Sequence, residues 1–400
     1  MNKTIKDISL EIGSGITPLR SNELYWNSPD IPWIKTEQLG QYRIFDSTEY
    51  ISNFALEDTN IRLWSPHTVS VAMYGEGKTR GNASILMIET TTNQACCNIK
   101  VNDALADYRF LYYWLKNNYE NLRTLSAGVR NNLNADDIKS FPFPENSLPE
   151  QEKIADILSV VDDKIELNSK ICSELETMAK TLYGYWFMQF DFPDENGKPY
   201  RTSGGEMEWN EQLKREIPKG WGVTNIGKIT ANFDSRRIPL SQNERNSMKG
   251  DIPYYGATGV MDYVDRFIFD GQYVLIAEDG SVMDSDGYPI VQMIWGKAWV
   301  NNHAHVLEGH NGYSNELLYF VLKDIPVIKI MTGSIQKKIN QDNLNNYKIP
   351  QIPHKIANRF TSILKPIFSK LRAVEIENSE LTKLRDWLLP MLMNGQARVE

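Results

Sequence analysis

The clearest order in this chain is a seven-residue recurrence of apolar positions between residues 150 and 190. One series reads Ile154, Val161, Asn168, Leu175, Leu182 and the other Leu158, Ile165, Cys172, Ala179, Trp186, which is the alternating three-four spacing of a coiled-coil seam. Ser147 as cap, with Glu150 three residues on and Pro149 in the first turn, marks where the helix starts. From Pro149 to Met188 such a helix is ~60 Å long. Residues 351–400 repeat the pattern with Phe360, Ile367, Val374, Leu381, Leu388 and with Leu364, Leu371, Asn378. Pro366 predicts a kink or a later start for this second helix, and Arg385 interrupts one of its series. Asn168 and Asn378 fall on the two seams. Either they are buried amides that fix register, or they face outward where the seam widens.

The two helices close two copies of one plan. Asn134-Ala-Asp-Asp137-Ile138 followed by Phe141-Pro-Phe143-Pro144 matches Asn340-Gln-Asp-Asn343-Leu344 followed by Tyr347-Lys-Ile349-Pro350 at a constant offset. Upstream, Asp30-Ile31-Pro32-Trp33 echoes Asp251-Ile252-Pro253-Tyr254, and Gly128 finds Gly333. Each half therefore predicts one globular module followed by one helix. Short β-rich runs, His67 to Tyr74 and Gln272 to Ala277, alternate with helical patterns near Arg109 to Tyr119 and Ser314 to Lys323, so both modules read as mixed α and β. The expected organisation is a first module over 1–146, a helix over 147–190, a Gly- and Pro-punctuated connector over 191–220, a second module over 221–350 and a second helix over 351–400. In fold class this is α+β with a pseudo-twofold internal repeat.

Composition narrows the function. A 41% hydrophobic chain of 400 residues with 19 Tyr, 10 Trp and 14 Phe is long enough for two packed cores. Its stretches carry neither a signal-peptide core nor the ~18 apolar residues of a membrane span, which predicts a cytoplasmic protein. Cys96, Cys97 and Cys172 make neither a disulfide framework nor a zinc motif, and no metal is expected. A net charge of -8 argues against a surface coated in positive potential. The acidic excess is densest in the first helix, where residues 146–190 hold 4 basic and 8 acidic side chains, so it leaves the modules open to an anionic partner.

A run of short motifs then resembles one family. Gly15-Ile-Thr17-Pro18, Ile31-Pro32-Trp33, Leu148-Pro-Glu-Gln151-Glu-Lys-Ile154 and Tyr183-Gly-Tyr-Trp186-Phe187 in the first half are followed by Phe190-Asp-Phe-Pro193, Gly197-Lys-Pro-Tyr200, Ser203-Gly-Gly205 and Ile217-Pro-Lys-Gly-Trp221. Ile252-Pro-Tyr-Tyr-Gly256, Ala277-Glu-Asp-Gly280 and Asn301-Asn-His-Ala-His305 continue the series. In order and spacing they are similar to the specificity subunits of Type I restriction-modification systems across essentially the whole chain. The departure is Ile-Pro-His354-Lys355, which opens the second helix without a Glu-Gln pair.

The resemblance implies two target recognition domains joined and spaced by an antiparallel pair of long helices. Each domain reads one half-site of double-stranded DNA, and the helices fix an unread spacer. It further implies docking to two methylation subunits, which would supply S-adenosylmethionine and the chemistry, with restriction subunits as further partners. This chain itself would carry no cofactor and no catalysis.

Base edges are read by Arg, Lys, Asn and Gln in a groove, while phosphate contacts position the protein. The first candidate loop holds Tyr74, Lys78, Arg80 and Asn82; its alternative reading is a solvated hairpin tip. A second pair of equivalent loops holds Arg130 and Asn131 in the first half and Gln336, Lys337 and Lys338 in the other. Thr17 and Lys35, and in the second module Arg236, Arg237, Tyr255, Thr258, Asp279 and Ser281, are further candidates. His303 and His305 alternate as strand residues do, so at most one points inward, and a buried hydrogen-bonded histidine is the commoner outcome. Helix pairing is assigned to Ile154, Leu158, Val161, Ile165, Asn168, Leu175 and Leu182 against Ile367, Leu371, Val374, Asn378 and Leu381.

Rival readings fare worse. Gly75-Glu-Gly77-Lys78-Thr79 approaches a phosphate-binding loop, but Ala72 stands where its first glycine belongs, and the loop must open a helix. A nuclease would need Glu76 and Lys78 with a distant acid such as Asp30. A methyltransferase would need a glycine-rich cofactor loop and a catalytic Asn-Pro-Pro-aromatic tetrapeptide, and neither occurs. A coiled-coil scaffold without DNA contact is the third class.

Overall fold

The structure, a computed structural model, describes residues 3–75, 77–125, 132–333 and 337–397. It divides into two compact units, Met1–Ser169 with Glu375–Glu400, and Lys170–Val374. The division falls inside both long helices. The connector expected at 191–220 belongs wholly to the second unit.

The first unit is built on a five-stranded sheet in the order Ser9–Ser14, Cys96–Val101, Thr68–Ala72, Ala83–Leu86, Arg43–Ile44, antiparallel except for the last pair. Thr68–Ala72 is buried at every position, which explains why its sequence is an unbroken run of small and β-branched residues rather than an alternation. A helix, Tyr108–Asn117, buries Phe110, Leu111 and Tyr113 in the same core. Asp107 caps it by accepting from the amides of Arg109 and Phe110 at 2.7 and 3.3 Å. A smaller sheet of Tyr50–Ile51, Ile31–Ile34 and Thr91–Thr92 completes the unit.

The second unit has a six-stranded sheet ordered Thr230–Asn232, Ala304–Gly309, Phe269–Ala277, Val291–Val300, Lys249–Tyr255, Val260–Val264. The sequence repeat is a structural one. Asn134 and Asn340 each cap a short helix, and the apolar residue four positions on, Ile138 or Leu344, is buried in both. Trp33 and Tyr254 both lie buried on strands that pair in parallel with a neighbour. Within 191–220 the turn-rich composition conceals a packed element. Phe192 stacks on Tyr200 and Trp221 at 4.8 and 5.3 Å, and Met207–Asn210 pairs with Arg215–Pro218.

The first long helix, Leu148–Tyr183, opens as expected, with the amide and hydroxyl of Ser147 both donating to Glu150 at 2.8 Å. Gln151 is buried because it ties the helix down. Its amide donates to the Asn146 carbonyl at 2.9 Å, and its side-chain oxygen accepts from the Asp107 amide at 3.2 Å. The helix ends in a wider π turn, Gly184–Met188, which turns both Trp186 and Phe187 into the core. The second long helix, His354–Met393, runs through Pro366. The later start expected of Pro366 is not seen: the helix begins at His354, and Pro366 sits on its exposed face, where water can take the carbonyl that loses its helical partner. Lacking a Glu-Gln pair, this helix is anchored by the Ile352 amide donating to Tyr313 Oη at 2.9 Å and by a Ser314–Thr361 hydroxyl contact at 3.1 Å.

Within each unit the two helices pair antiparallel. In the first, Asn168 is 1% exposed, and its amide donates to Asn378 Oδ1 at 2.9 Å and to Glu377 at 3.0 Å. The pair of amides thus meets across the seam rather than facing out. Arg385, which interrupts the apolar series, lies in the seam and ion-pairs with the buried Asp162 at 2.8 Å. In the second unit Ala179, Leu175 and Leu182 pack in one cluster with Phe360, Leu364, Ile367 and Leu371. Val374 is buried, while Ile165 and Leu381 are half-buried.

Candidate nucleic-acid interface

The loop carrying Tyr74, Lys78, Arg80 and Asn82 joins the buried strand Thr68–Ala72 to Ala83–Leu86 and is held in one shape from behind. Tyr119 Oη donates to the Lys78 carbonyl at 2.6 Å, and Arg123 donates to the Gly77 carbonyl at 2.9 Å and to Tyr119 at 2.7 Å. Gly81 has φ of +89°, and an added Cβ would press on Arg123 and the Tyr119 ring, so glycine is what lets the loop lie against its clamp. Tyr74 and Lys78 are exposed, and Arg80 and Asn82 half-buried. A backbone held at two carbonyls by a Tyr119–Arg123 pair differs from a solvated tip: it presents donors at set positions. No helix follows Lys78, only a turn and a strand, so the phosphate-loop geometry is not formed.

Tyr119 and Arg123 escaped the sequence reading because they are remote in the chain and act through backbone. Arg130, Asn131 and Gln336, and the Glu76 of the nuclease reading, lie outside the described residues. Thr17 bonds Gln94 and is positioned by Gly15, where a Cβ would fall 2.1 Å from the Thr92 carbonyl oxygen. Lys35 pairs with Glu37 at 2.5 Å and Glu49 at 2.6 Å, so a DNA phosphate would compete with two carboxylates for it. Beside it Arg20 stacks on Trp26 at 3.7 Å and on Trp33 at 4.7 Å.

In the second module several of the candidate residues are engaged in ion pairs within the fold. Arg237 is 12% exposed and donates to Glu278 at 2.6 Å and the Ala304 carbonyl at 2.7 Å, with Asp234 at 3.4 Å. Lys338 pairs with Glu278 at 2.9 Å, and Asp279 with the ring of His303 at 2.5 Å. These residue types suit base contacts, but partners far away in sequence take them up. Arg236 lies over Phe269 at 4.7 Å and donates to the Ile268 carbonyl at 2.6 Å. Thr258 and Ser281 are exposed, Tyr255 is half-buried, and the Lys337 ammonium approaches the Met283 sulfur at 3.8 Å.

His305 is the inward histidine, 2% exposed. Its Nδ1 meets Asp234 at 2.6 Å and its Nε2 meets the Ile339 carbonyl at 2.8 Å. The carbonyl accepts, as does the Asp234 carboxylate, whose own pKa is lowered, so the two contacts together favour the doubly protonated ring. Burial pulls its pKa down, but the Asp234 hydrogen bond and charge, the Ile339 carbonyl and Glu278 outweigh that and hold it above the ordinary 6.5. Asp234, Glu278 and His305 lie close enough to hold a metal, yet Arg237 and Lys338 already meet the two carboxylates and both ring nitrogens are engaged. The cluster is a charge network that ties the strand Ala304–Gly309 to the hairpin Met331–Thr332 and Lys338–Ile339.

A raised histidine pKa contributes stability that is complete below about 6.5 and is lost as pH rises through the folded value. Chemical denaturation of the second unit's transition should therefore give a falling unfolding free energy from pH 6 to pH 9, and His305→Gln should flatten that slope. An equally steep slope in the variant would place the titrating group elsewhere.

Two repeats of a sheet module, each presenting loops beside a helix, define a two-module recognition protein. The family of the Type I restriction modification DNA specificity domain matches this chain over residues 1–177 and 218–383, and the chain belongs to that family. It is 28% identical to the Type I restriction enzyme MjaIX specificity subunit of Methanocaldococcus jannaschii over 427 aligned residues, covering 100% of this chain and 93% of that one. The HindI specificity subunit of Haemophilus influenzae is 22% identical over 79% of this chain and 84% of its own. The crystal structure of a Type I S subunit from M. genitalium shares the fold, with a TM-score of 0.56 at 20% identity over 98% of this chain and 95% of that one. The family's role is DNA sequence specificity within a Type I restriction-modification system, and it is non-catalytic. Among the described residues no helix is long and apolar enough to cross a membrane.

Proposed function

We propose that this chain reads a bipartite duplex target, one half-site per module, with the helix pair setting the spacer, and docks two methylation subunits of a cytoplasmic Type I complex. Those subunits would hold S-adenosylmethionine, and restriction subunits would join the same assembly. The observation that carries this reading is that the specificity-domain match falls once on each structural repeat, at 1–177 and 218–383. The clamped loop of Lys78 and Asn82 supplies donors in the first module. In the second module Thr258 and Ser281 remain exposed after Arg237 and Lys338 are spent on structure.

The test is selection from a randomised duplex library by the chain with and without its methylation subunit, at fixed salt because counterion release masks specificity. Two short motifs at one constant separation are expected. No enriched sequence in either condition would favour a scaffold that does not touch DNA.

A further inference from the structure

Beside the clamped loop of the first unit lies a cleft of about 630 Å³, whose inner wall no role assigned above uses. Lys78 and Asn82 line it from the loop, Lys116 and Asn117 from the helix Tyr108–Asn117, and Arg385 and Asp386 from the second long helix. Its volume lies within the range of small-ligand sites, roughly 300–1,000 Å³.

The charges in it are unequally satisfied. Arg385 is offset by Asp162 and Asp386, each at 2.8 Å. Lys116 is not. Its ammonium donates to Tyr112 Oη at 3.3 Å and lies 5.5 Å from the centre of that ring, and among the described residues no carboxylate ion-pairs with it. Burial holds its pKa below the ordinary lysine value, and with Arg385 nearby the more distant charges of Asp162 and Asp386 do not make up the lost hydration. Lys78 adds a second cation at the mouth, and the amides of Asn82 and Asn117 add neutral donors. Among the described residues neither Lys78 nor Lys116 ion-pairs with a carboxylate, and Asp386, the acid in the lining, is held by Arg385, so the two ammonium groups and the neighbouring amides complement an oxyanion bearing more than one charge.

We infer that this cleft binds a phosphate-bearing ligand, with the phosphoryl oxygens on Lys116 and Lys78. The ligand is either a free nucleotide or a backbone phosphate of the DNA strand crossing the loop. The second source rests on the DNA-reading proposal, whereas the first does not.

The full chain is titrated calorimetrically with inorganic pyrophosphate and with ATP at constant ionic strength, and duplex binding is measured against salt. Lys116→Met keeps the packing over Tyr112 and should fold at least as stably as the parent, and Lys116→Arg keeps the charge. If the source is a free nucleotide, the parent binds pyrophosphate, Lys116→Met loses at least tenfold, and Lys116→Arg retains binding. If it is DNA, Lys116→Met lowers the slope of log affinity against log salt by about 1. Parent-like behaviour of Lys116→Met in both arms overturns the inference. If the variant still enriches the same bipartite sequence, the DNA-reading proposal stands regardless.

Discussion

Replacing Arg385 with alanine should lower the unfolding free energy of the first unit by about 3–5 kcal/mol, the range for stripping one partner from a buried ion pair. Asp162 is 2% exposed and held by two donors, Tyr113 Oη and Arg385, each at 2.8 Å. With the guanidinium gone, a carboxylate stays in the core with one neutral donor, and its desolvation cost falls on the folded state. The penalty comes from the orphaned charge, not from the lost attraction. A variant that removes all three groups, Asp162→Leu with Arg385→Met and Tyr113→Phe, should therefore recover most of the loss. Urea denaturation of the three proteins decides the matter. A cost below about 1 kcal/mol for Arg385→Ala would mean that water reaches Asp162 and that the triad is a surface contact.

This triad also shows where sequence reasoning runs short. The seam positions of both helices, the capping Asn134 and Asn340, and the paired Ile-Pro-aromatic strands are legible because each signal sits within one local period. Arg385 breaks the apolar period, so a local reading counts it against the seam, although its counter-charge lies on the other helix. The partners of Arg237 and Lys338 are hidden from a local reading in the same way. As isolated cations near loops they fit a DNA surface, and only the fold shows that Glu278 lies between them. In the segment 191–220, Gly and Pro punctuation masks Phe192 and Tyr200, which stack with each other and, through Phe192, with Trp221 only once the chain turns back on itself. Residue type identifies candidates for contact with DNA, and tertiary pairing shows which of them the fold already engages.

Lys78 and Asn82 survive that test, and replacing both with alanine should reduce affinity for a target with an intact first half-site roughly a hundredfold. A good bidentate base contact contributes ~1–3 kcal/mol, and a lost phosphate contact adds to the deficit. Discrimination at the second half-site should not change, because the loop belongs to the first unit alone. The loop's shape rests on the Lys78 and Gly77 carbonyls, so the substitutions leave the clamp in place and the melting temperature should hold. Arg237→Ala is the informative contrast. It strips a buried cation from Glu278 and Asp234, so any loss of binding should come with a fall in thermal stability. Competition binding with duplexes mutated in one half-site at a time separates the cases. Equal loss at both half-sites in the Lys78→Ala, Asn82→Ala protein, with its fold intact, would mean that the loop supplies general attraction to DNA and that the two modules do not divide the reading between them.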